Sequence, residues 1–166
     1  MIYRAESRTV HLKSGAEGFN PMTTNHIPKG MTSVTPYLIV DGASELIEFL
    51  KQSFDAVETS RHEATGRGIM HSTISIAGAV IEVSDASKEI PKRTGTIHLY
   101  VKDVDAKYRQ AIDHGAKSLY GPMDQFYGDR DSGVEDPFGN YWFIATHVQD
   151  VAPEEMERAM AERWSA

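Results

Sequence analysis

The sequence predicts an α+β fold in which one βαβββ unit occurs twice. Residues 95–116 combine an alternating apolar run, typical of a half-buried strand, with apolar residues at helical spacing that end before Gly115. Residues 33–54 show the same order of strand and helix. Because the pattern recurs in tandem, we expect two copies of one structural unit.

A constant interval along the chain supports this duplication. Leu38 in the first apolar run corresponds to Leu99 in the second. The number of residues from Leu38 to Leu99 equals the number from the turn residue Gly78 to the turn residue Gly139. One unit alone is too small to bury a sheet face, so we expect the two copies to pack together.

The individual elements follow from local sequence signals. The expected elements of the first unit are a strand at 33–40, a helix at 43–54 and strands near 56–63, 68–76 and 79–85. In the second unit, Asp103 is the expected N-cap of the helix. The expected later strands lie at 117–120, 126–135 and 140–147. Pro153 is expected to begin a short C-terminal helix.

The limits of this periodicity predict the domain organisation. Gly and Pro interrupt every short apolar group in residues 1–31, which we predict to be an N-terminal extension. The duplicated domain is expected at 32–148, with module one at 32–87 and module two at 95–147. A helical tail is expected at 149–166.

The composition limits the classes of function. The chain has 166 residues, a formal net charge of −7 and no cysteine, which excludes disulfides and thiolate chemistry. The lack of a basic cluster argues against nucleic acid as a partner, and the negative charge favours a small cationic or metal-bearing ligand. No apolar run approaches the roughly 20 residues of a membrane helix, and the first residues lack the apolar core of a secretory signal. We therefore expect a cytoplasmic protein that binds a small molecule and binds neither nucleic acid nor membrane.

The alternation along the strands predicts which side chains lie on the face opposite the helices. Because the apolar positions of the first strand must lie under the helix, Tyr37 is expected on the other side. A two-residue turn at 77–78 would pair Thr73 with Glu82 and place His71 diagonal to Glu82. These side chains would line a groove for a small organic molecule. The expected lining is Tyr37, His71, Glu82, His98, Tyr100, Tyr141 and Phe143.

Three motifs carry a resemblance to a known family. The segments GAVIEVSD (78–85), TIHLYVKDVDA (96–106) and YGDRDSGVEDPFGNYWFIATHVQD (127–150) resemble the vicinal oxygen chelate superfamily, which includes glyoxalase I, bleomycin-resistance proteins and extradiol dioxygenases. The last segment resembles the PhnB-like branch. The resemblance implies a curved, funnel-like, eight-stranded mixed sheet with helices on the outer face. It also implies a ligand site on the concave face, usually within a homodimer.

The resemblance also indicates where metal-binding members place their ligands. The corresponding positions are Thr35, Glu82, Thr96 and Phe143, of which only Glu82 is a plausible donor. A catalytic divalent site needs about three protein donors, so we expect the usual metal site to be broken and no cofactor to be bound. The alternative is a displaced divalent-metal site formed by His71, Glu82 and His98.

Two functional hypotheses follow, with a purely structural role ranked third. The first is a metal-independent binding protein, and the second is a lyase, isomerase or dioxygenase that uses the displaced metal site. Glu82 and His98 are the predicted catalytic pair, although either could be a structural partner in a hydrogen bond. Arg130 is expected either in a local ion pair or at the groove mouth, against an anionic ligand or a second subunit. The predicted ligand-binding residues are Thr35, Tyr37, His71, Thr96, Tyr100, Arg130, Tyr141 and Phe143.

Overall fold

The structure is a computed structural model that describes residues 25–164; positions 1–24, within the predicted extension, and positions 165–166 lie outside it. The elements of module one are β1 (Tyr37–Val40), α1 (Ala43–Phe54), β2 (Val57–Ala64), β3 (Gly68–Ile76) and β4 (Ala79–Asp85). Those of module two are β5 (Thr96–Tyr100), α2 (Val104–Asp113), β6 (Lys117–Asp124), β7 (Asp129–Glu135) and β8 (Tyr141–His147). The helix α3 (Pro153–Trp164) follows.

The eight strands form two four-stranded mixed sheets. The strand order is β1-β4-β3-β2 in one sheet and β5-β8-β7-β6 in the other. In each sheet the first strand is parallel to its neighbour and the remaining pairs are antiparallel. The predicted α+β class and the two βαβββ modules are therefore confirmed, and the strands divide into a sheet for each module.

A linker explains why the two sheets remain separate at the edge of β1. The backbone N–H of Arg93 donates to the carbonyl oxygen of Ile39 at 3.1 Å, so the segment between the modules pairs with β1. An edge that is already paired cannot also receive a strand of the other sheet there.

The duplication is visible in the register and in the helix caps. Tyr37 pairs with Glu82 in one sheet, and the residues one repeat further along the chain, His98 and Phe143, pair in the other. The last strand of each module also caps its own helix. The N–H of Ala43 donates to Asp85 Oδ1 at 2.8 Å, and the N–H at the start of α2 donates to the Thr146 hydroxyl oxygen at 3.0 Å. Residues at equivalent positions of the two modules thus make equivalent contacts in the structure.

A single hydrophobic core joins the modules through their helices. Leu46 and Leu50 of α1 are completely buried, as the apolar stripe of an amphipathic helix requires. At the end of α1 the Phe54 ring packs on the Trp142 ring of β8, with centroids 4.8 Å apart. An ion pair between Lys107 and Asp55 closes the same junction. Among the described elements, no strand of one sheet lies beside a strand of the other.

The turns between the paired strands have the predicted chemistry. Ala77 and Gly78 have φ angles of 49° and 86°, which suits a tight two-residue hairpin, and Thr73 pairs with Glu82 as expected. In the second turn the carboxylate of Asp136 is buried. It accepts hydrogen bonds from two backbone N–H groups, the Asn140 amide and the Trp142 indole. The Asp136 side chain therefore holds the second turn and ties it to β8.

Three strand boundaries differ by more than one residue from the sequence prediction, and one of them is the start of β7, at Asp129 instead of 126. β1 begins at Tyr37 instead of 33, because Pro36 has no N–H and the hydroxyls of Thr32 and Thr35 form local hydrogen bonds instead. β6 continues to Asp124, with irregular pairing to β7 along its length. No described helix is both long and apolar enough to cross a membrane.

Candidate functional site

Each sheet has one face covered by helices and one face without them, which we call the open face. In module one, the open face carries Tyr37, His71 and Glu82. The imidazole Nε2 of His71 lies 3.0 Å from Glu82 Oε1, and the rings of Tyr37 and His71 meet edge to face with centroids 6.0 Å apart. The side chains of His71 and Glu82 remain partly exposed. A histidine hydrogen-bonded to a carboxylate in a partly exposed position can hold or transfer a proton.

The open face of module two begins with a stacked pair of rings. The rings of His98 and Tyr100 lie 4.7 Å apart at 25°. The Tyr100 hydroxyl donates to Asp129 Oδ2 at 2.9 Å, and this hydrogen bond raises the pKa of the Tyr100 phenol. Phe143 lies on the same face, with its ring 6.3 Å from that of Tyr120.

A second buried carboxylate, Asp131, lies further along β7. Asp131 is 5% exposed, and it accepts hydrogen bonds from the Gln125 amide and from the hydroxyls of Tyr120 and Tyr127. Burial is the main cause that raises the pKa of Tyr120 to about 12, and burial also raises the pKa of Tyr127. The phenols therefore remain protonated donors at neutral pH.

Asp129 and Asp131 are not among the predicted site residues, although the sequence carries a signal for them. The two residues flank Arg130 in a period-two pattern, which places both carboxylates on one face of β7 and the guanidinium on the other. The alternation of side chains along β7 thus assigns Asp129 and Asp131 to the open face.

His147 connects this face to the chain that follows β8. Its Nδ1 lies 2.7 Å from Asp129 Oδ1, and its Nε2 lies 3.0 Å from Asp150 Oδ1. These two hydrogen bonds, led by the one to Asp129, raise the pKa of His147. Asp129 is 4% exposed. Its two carboxylate oxygens are hydrogen-bonded to Tyr100 and to His147.

Arg130 lies on the helix side of β7. Its guanidinium makes two hydrogen bonds to Asp105, at 2.7 and 2.9 Å, and a third to Asp124 at 3.0 Å. These carboxylates raise the pKa of Arg130 further. Arg130 therefore forms ion pairs, but with α2 and β6 instead of within its own loop.

The remaining predicted residues are divided between the modules. Thr35 precedes β1, and its hydroxyl donates to the Thr32 carbonyl at 3.2 Å. Thr96 of β5 pairs with Tyr141 of β8, whose side chain is 41% exposed. His98 is on a different sheet from the His71–Glu82 pair. Within residues 25–164, no three His, Asp or Glu side chains of one chain lie close enough together to hold a metal ion.

Two clefts open beside β5, and Ile76 and Leu99 line both of them. The larger has a volume of about 850 Å³ and lies between the ends of α1 and β5, the start of α2 and the turn after β3. Its lining includes Phe54, Tyr100 and His147. The smaller, of about 190 Å³, lies between β4 and β5 and includes His98. β5 of module two therefore borders both clefts, and residues of module one line the other side of each.

These features define a duplicated βαβββ protein with two helix-free sheet faces that carry aromatic, histidine and carboxylate side chains. The model of the glyoxalase/bleomycin resistance protein/dioxygenase superfamily matches residues 25–144. The chain belongs to this superfamily.

Individual relatives agree with the assignment. Uncharacterized protein Mb0911c of Mycobacterium bovis is 34% identical over 143 residues, which cover 78% of this chain and 92% of the relative. The crystal structure of TnmS3, an antibiotic binding protein from Streptomyces sp. CB03234, has a TM-score of 0.55 and 18% identity, covering 70% of this chain and 97% of TnmS3. The structure of a PhnB protein from Bacillus cereus has a TM-score of 0.56 and 16% identity, and the match covers 69% of this chain and 99% of the PhnB protein. At these identities the two structures support the fold alone.

Proposed function

We propose that this protein binds a small organic ligand between its open sheet faces, without the usual metal site of the family. The observation that carries the proposal is the concentration of ring and acidic side chains on faces that no helix covers. Concave surfaces that combine apolar rings with a few polar groups are typical ligand sites. Membership of a superfamily that includes bleomycin resistance proteins, and the likeness to an antibiotic binding protein, support it.

The ligand groove is proposed to be shared by two subunits of a homodimer. The modules of one chain contact each other through α1, α2 and the core, while the two open faces belong to separate sheets. A second copy would bring a module-one face opposite a module-two face and leave the ligand space between them. The motif at 127–150 supports placement in the PhnB-like branch. The proposed location is the cytoplasm.

A ligand screen tests the proposal. Thermal unfolding of the purified chain in the presence of a library of planar and polycyclic natural products should give stabilising compounds, because a ligand that binds only the folded state raises its stability. Calorimetry should then show at least about tenfold weaker binding to Phe143→Ala, because a ring in a ligand pocket contributes strongly to affinity. Tyr108→Phe, which removes a hydroxyl of α2 bonded to Ser118, is the matched control and should bind normally. Hits that bind Phe143→Ala as well as wild type would contradict the proposal.

The alternative function is an enzyme, and the 3.0 Å contact between His71 and Glu82 favours it. In that case Glu82 and His98 would act without a metal as an acid/base pair on the bound substrate. Otherwise a divalent ion would be held by His71 and Glu82 of one subunit and His98 of the other, and a Tyr or another carboxylate would move the proton. Metal analysis of protein purified without chelator distinguishes the two functions. Stoichiometric metal that is lost in both Glu82→Ala and His98→Ala, and kept in His114→Ala, would replace the binding proposal with the enzyme.

A further inference from the structure

The hydroxyl of Tyr100 has a fixed direction. It donates to Asp129 Oδ2 at 2.9 Å, and Asp129 is held from its other oxygen by His147 Nδ1 at 2.7 Å. His147 is in turn held at Nε2 by Asp150 at 3.0 Å. An ionised carboxylate only accepts hydrogen bonds, so Tyr100 must supply the proton of its bond.

This direction determines what the phenol can offer a ligand. A tyrosine hydroxyl has one proton and two acceptor lone pairs. Once the proton is used by Asp129, Tyr100 presents only acceptor capacity to a bound molecule. The raised pKa of the phenol keeps it in this protonated form at neutral pH.

The surroundings of Tyr100 favour a flat molecule beside it. His98 stacks on the ring, and the residue lines the 850 Å³ cleft together with Phe54 and Leu99. The side chain is 55% exposed, so it is accessible to a ligand. Aromatic faces attract rings and cations.

The charges around the cleft are unequal. Asp129 and Asp131 lie behind Tyr100 and face neutral phenol and amide donors as well as His147. Lys107 lines the cleft and is paired with Asp55. Lys102 and Asp103 also line the cleft, so its lining carries charges of both signs. The charged groups that act on the Tyr100 phenol itself are the carboxylates of Asp129 and Asp131, so a positive group is favoured at that phenol.

We propose that Tyr100 is a specificity-determining residue that selects aromatic ligands bearing a hydrogen-bond donor, preferentially a protonated amine, and that Asp129 is its positioning residue. The inference rests on the proposed binding function and assigns the chemical class of its ligand. A carboxylate at the same place would meet acceptor lone pairs instead of donors. The amine would donate to the Tyr100 oxygen.

Two probes with the same ring test the selection. Tryptamine carries an ammonium group and indole-3-propionate carries a carboxylate on the same indole. Titrations of the ¹⁵N-labelled full chain, followed by the amide signals of β5, should give a dissociation constant for tryptamine at least about tenfold lower than for indole-3-propionate, because hydrogen bonds to charged groups are among the stronger ones. Equal binding, a preference for the carboxylate, or no response of β5 to either probe at millimolar concentration would overturn the inference.

Substitutions at Tyr100 and Asp129 test whether these residues cause the preference for tryptamine. Tyr100→Phe should reduce the ratio of the two dissociation constants to near one, while Tyr108→Phe should leave it unchanged. Asp129→Asn should also reduce the ratio. A purely structural effect of that substitution would weaken both probes equally and keep the ratio. A ratio that persists in Tyr100→Phe overturns the role of Tyr100, and one that persists in Asp129→Asn overturns the positioning role.

Failure of the two-probe comparison can be distinguished from failure of the ligand screen. If library compounds bind but tryptamine is not preferred, the inference fails and the binding function stands. If neither the library nor the probes bind, both fail. The comparison of the two probes on wild-type protein needs no variant to fold.

Discussion

Two buried serines occupy similar positions on β3 and β7 but differ in their hydrogen bonds. Ser72 and Ser132 are both completely buried. The Ser72 hydroxyl lies 3.0 Å from Glu58 Oε1 and 2.8 Å from the Ser60 carbonyl oxygen. The Ser132 hydroxyl has no hydrogen-bond partner among the described residues. A buried hydroxyl stabilises a fold only when it is paired.

Alanine substitutions at these serines should therefore have different effects. Ser72→Ala should lower the free energy of unfolding by about 1–2 kcal/mol, because it removes a buried hydroxyl that is hydrogen-bonded to partly buried acceptors. Ser132→Ala should leave it unchanged or raise it by up to about 1 kcal/mol, because it removes an unpaired polar group. Urea unfolding of both variants measures the difference. Equal losses in the two variants would contradict the assigned hydrogen bonds.

His147 should make stability depend on pH. Its carboxylate partners raise its pKa in the folded state above the ordinary value of about 6.5, so its contribution is fully present below that value and is lost as the pH rises through the folded-state pKa. His147→Gln should therefore destabilise the protein more at about pH 6 than at about pH 9. Urea unfolding of wild type and variant at both pH values tests this. The same difference in free energy at both would show that the imidazolium is not involved.

At the scale of elements, each helix depends on the last strand of its own module. Asp85 accepts hydrogen bonds from the N–H groups of Gly42, Ala43 and Ile69, while Thr146 accepts only the one at the start of α2. Backbone N–H groups at a helix start have no partner within the helix, so an external acceptor stabilises it.

Asp85→Ala removes three hydrogen bonds, and Thr146→Val removes two, because the Thr146 hydroxyl also donates to the Val101 carbonyl oxygen. Asp85→Ala should lower the free energy of unfolding by about 2–3 kcal/mol and Thr146→Val by about 1 kcal/mol. Asp113→Ala, at the exposed end of α2, is the control and should change it by less than about 0.5 kcal/mol. Chemical denaturation measures all three. A larger loss in Thr146→Val than in Asp85→Ala would contradict the cap assignment.

The sequence predicted the elements that depend on local signals. The bounds of α1, β3 and β4 agree with the structure because apolar periodicity and the turn at Ala77-Gly78 determine them. The diagonal relation of His71 and Glu82 follows from the same turn. The length of β6 was not predicted, because irregular pairing with β7 leaves no clean alternation.

At the scale of the whole molecule, the arrangement of the modules depends on contacts that periodicity does not reveal. The packing of Phe54 on Trp142 and the pairing of Arg93 with β1 divide the predicted groove residues between two sheets. The predicted domain limits at 32–148 and the homodimer both stay predictions. Light scattering should give twice the 18.5 kDa of one chain at micromolar concentration. A monomer would remove the shared groove.

The location of a bound ligand tests the central claim most directly. A ¹H–¹⁵N NMR map of the chain with the tightest compound from the screen should show perturbed amides on β1 and β4 of module one and on β5 and β8 of module two. Perturbations confined to α1, α2 or α3 would contradict a groove between the open sheet faces.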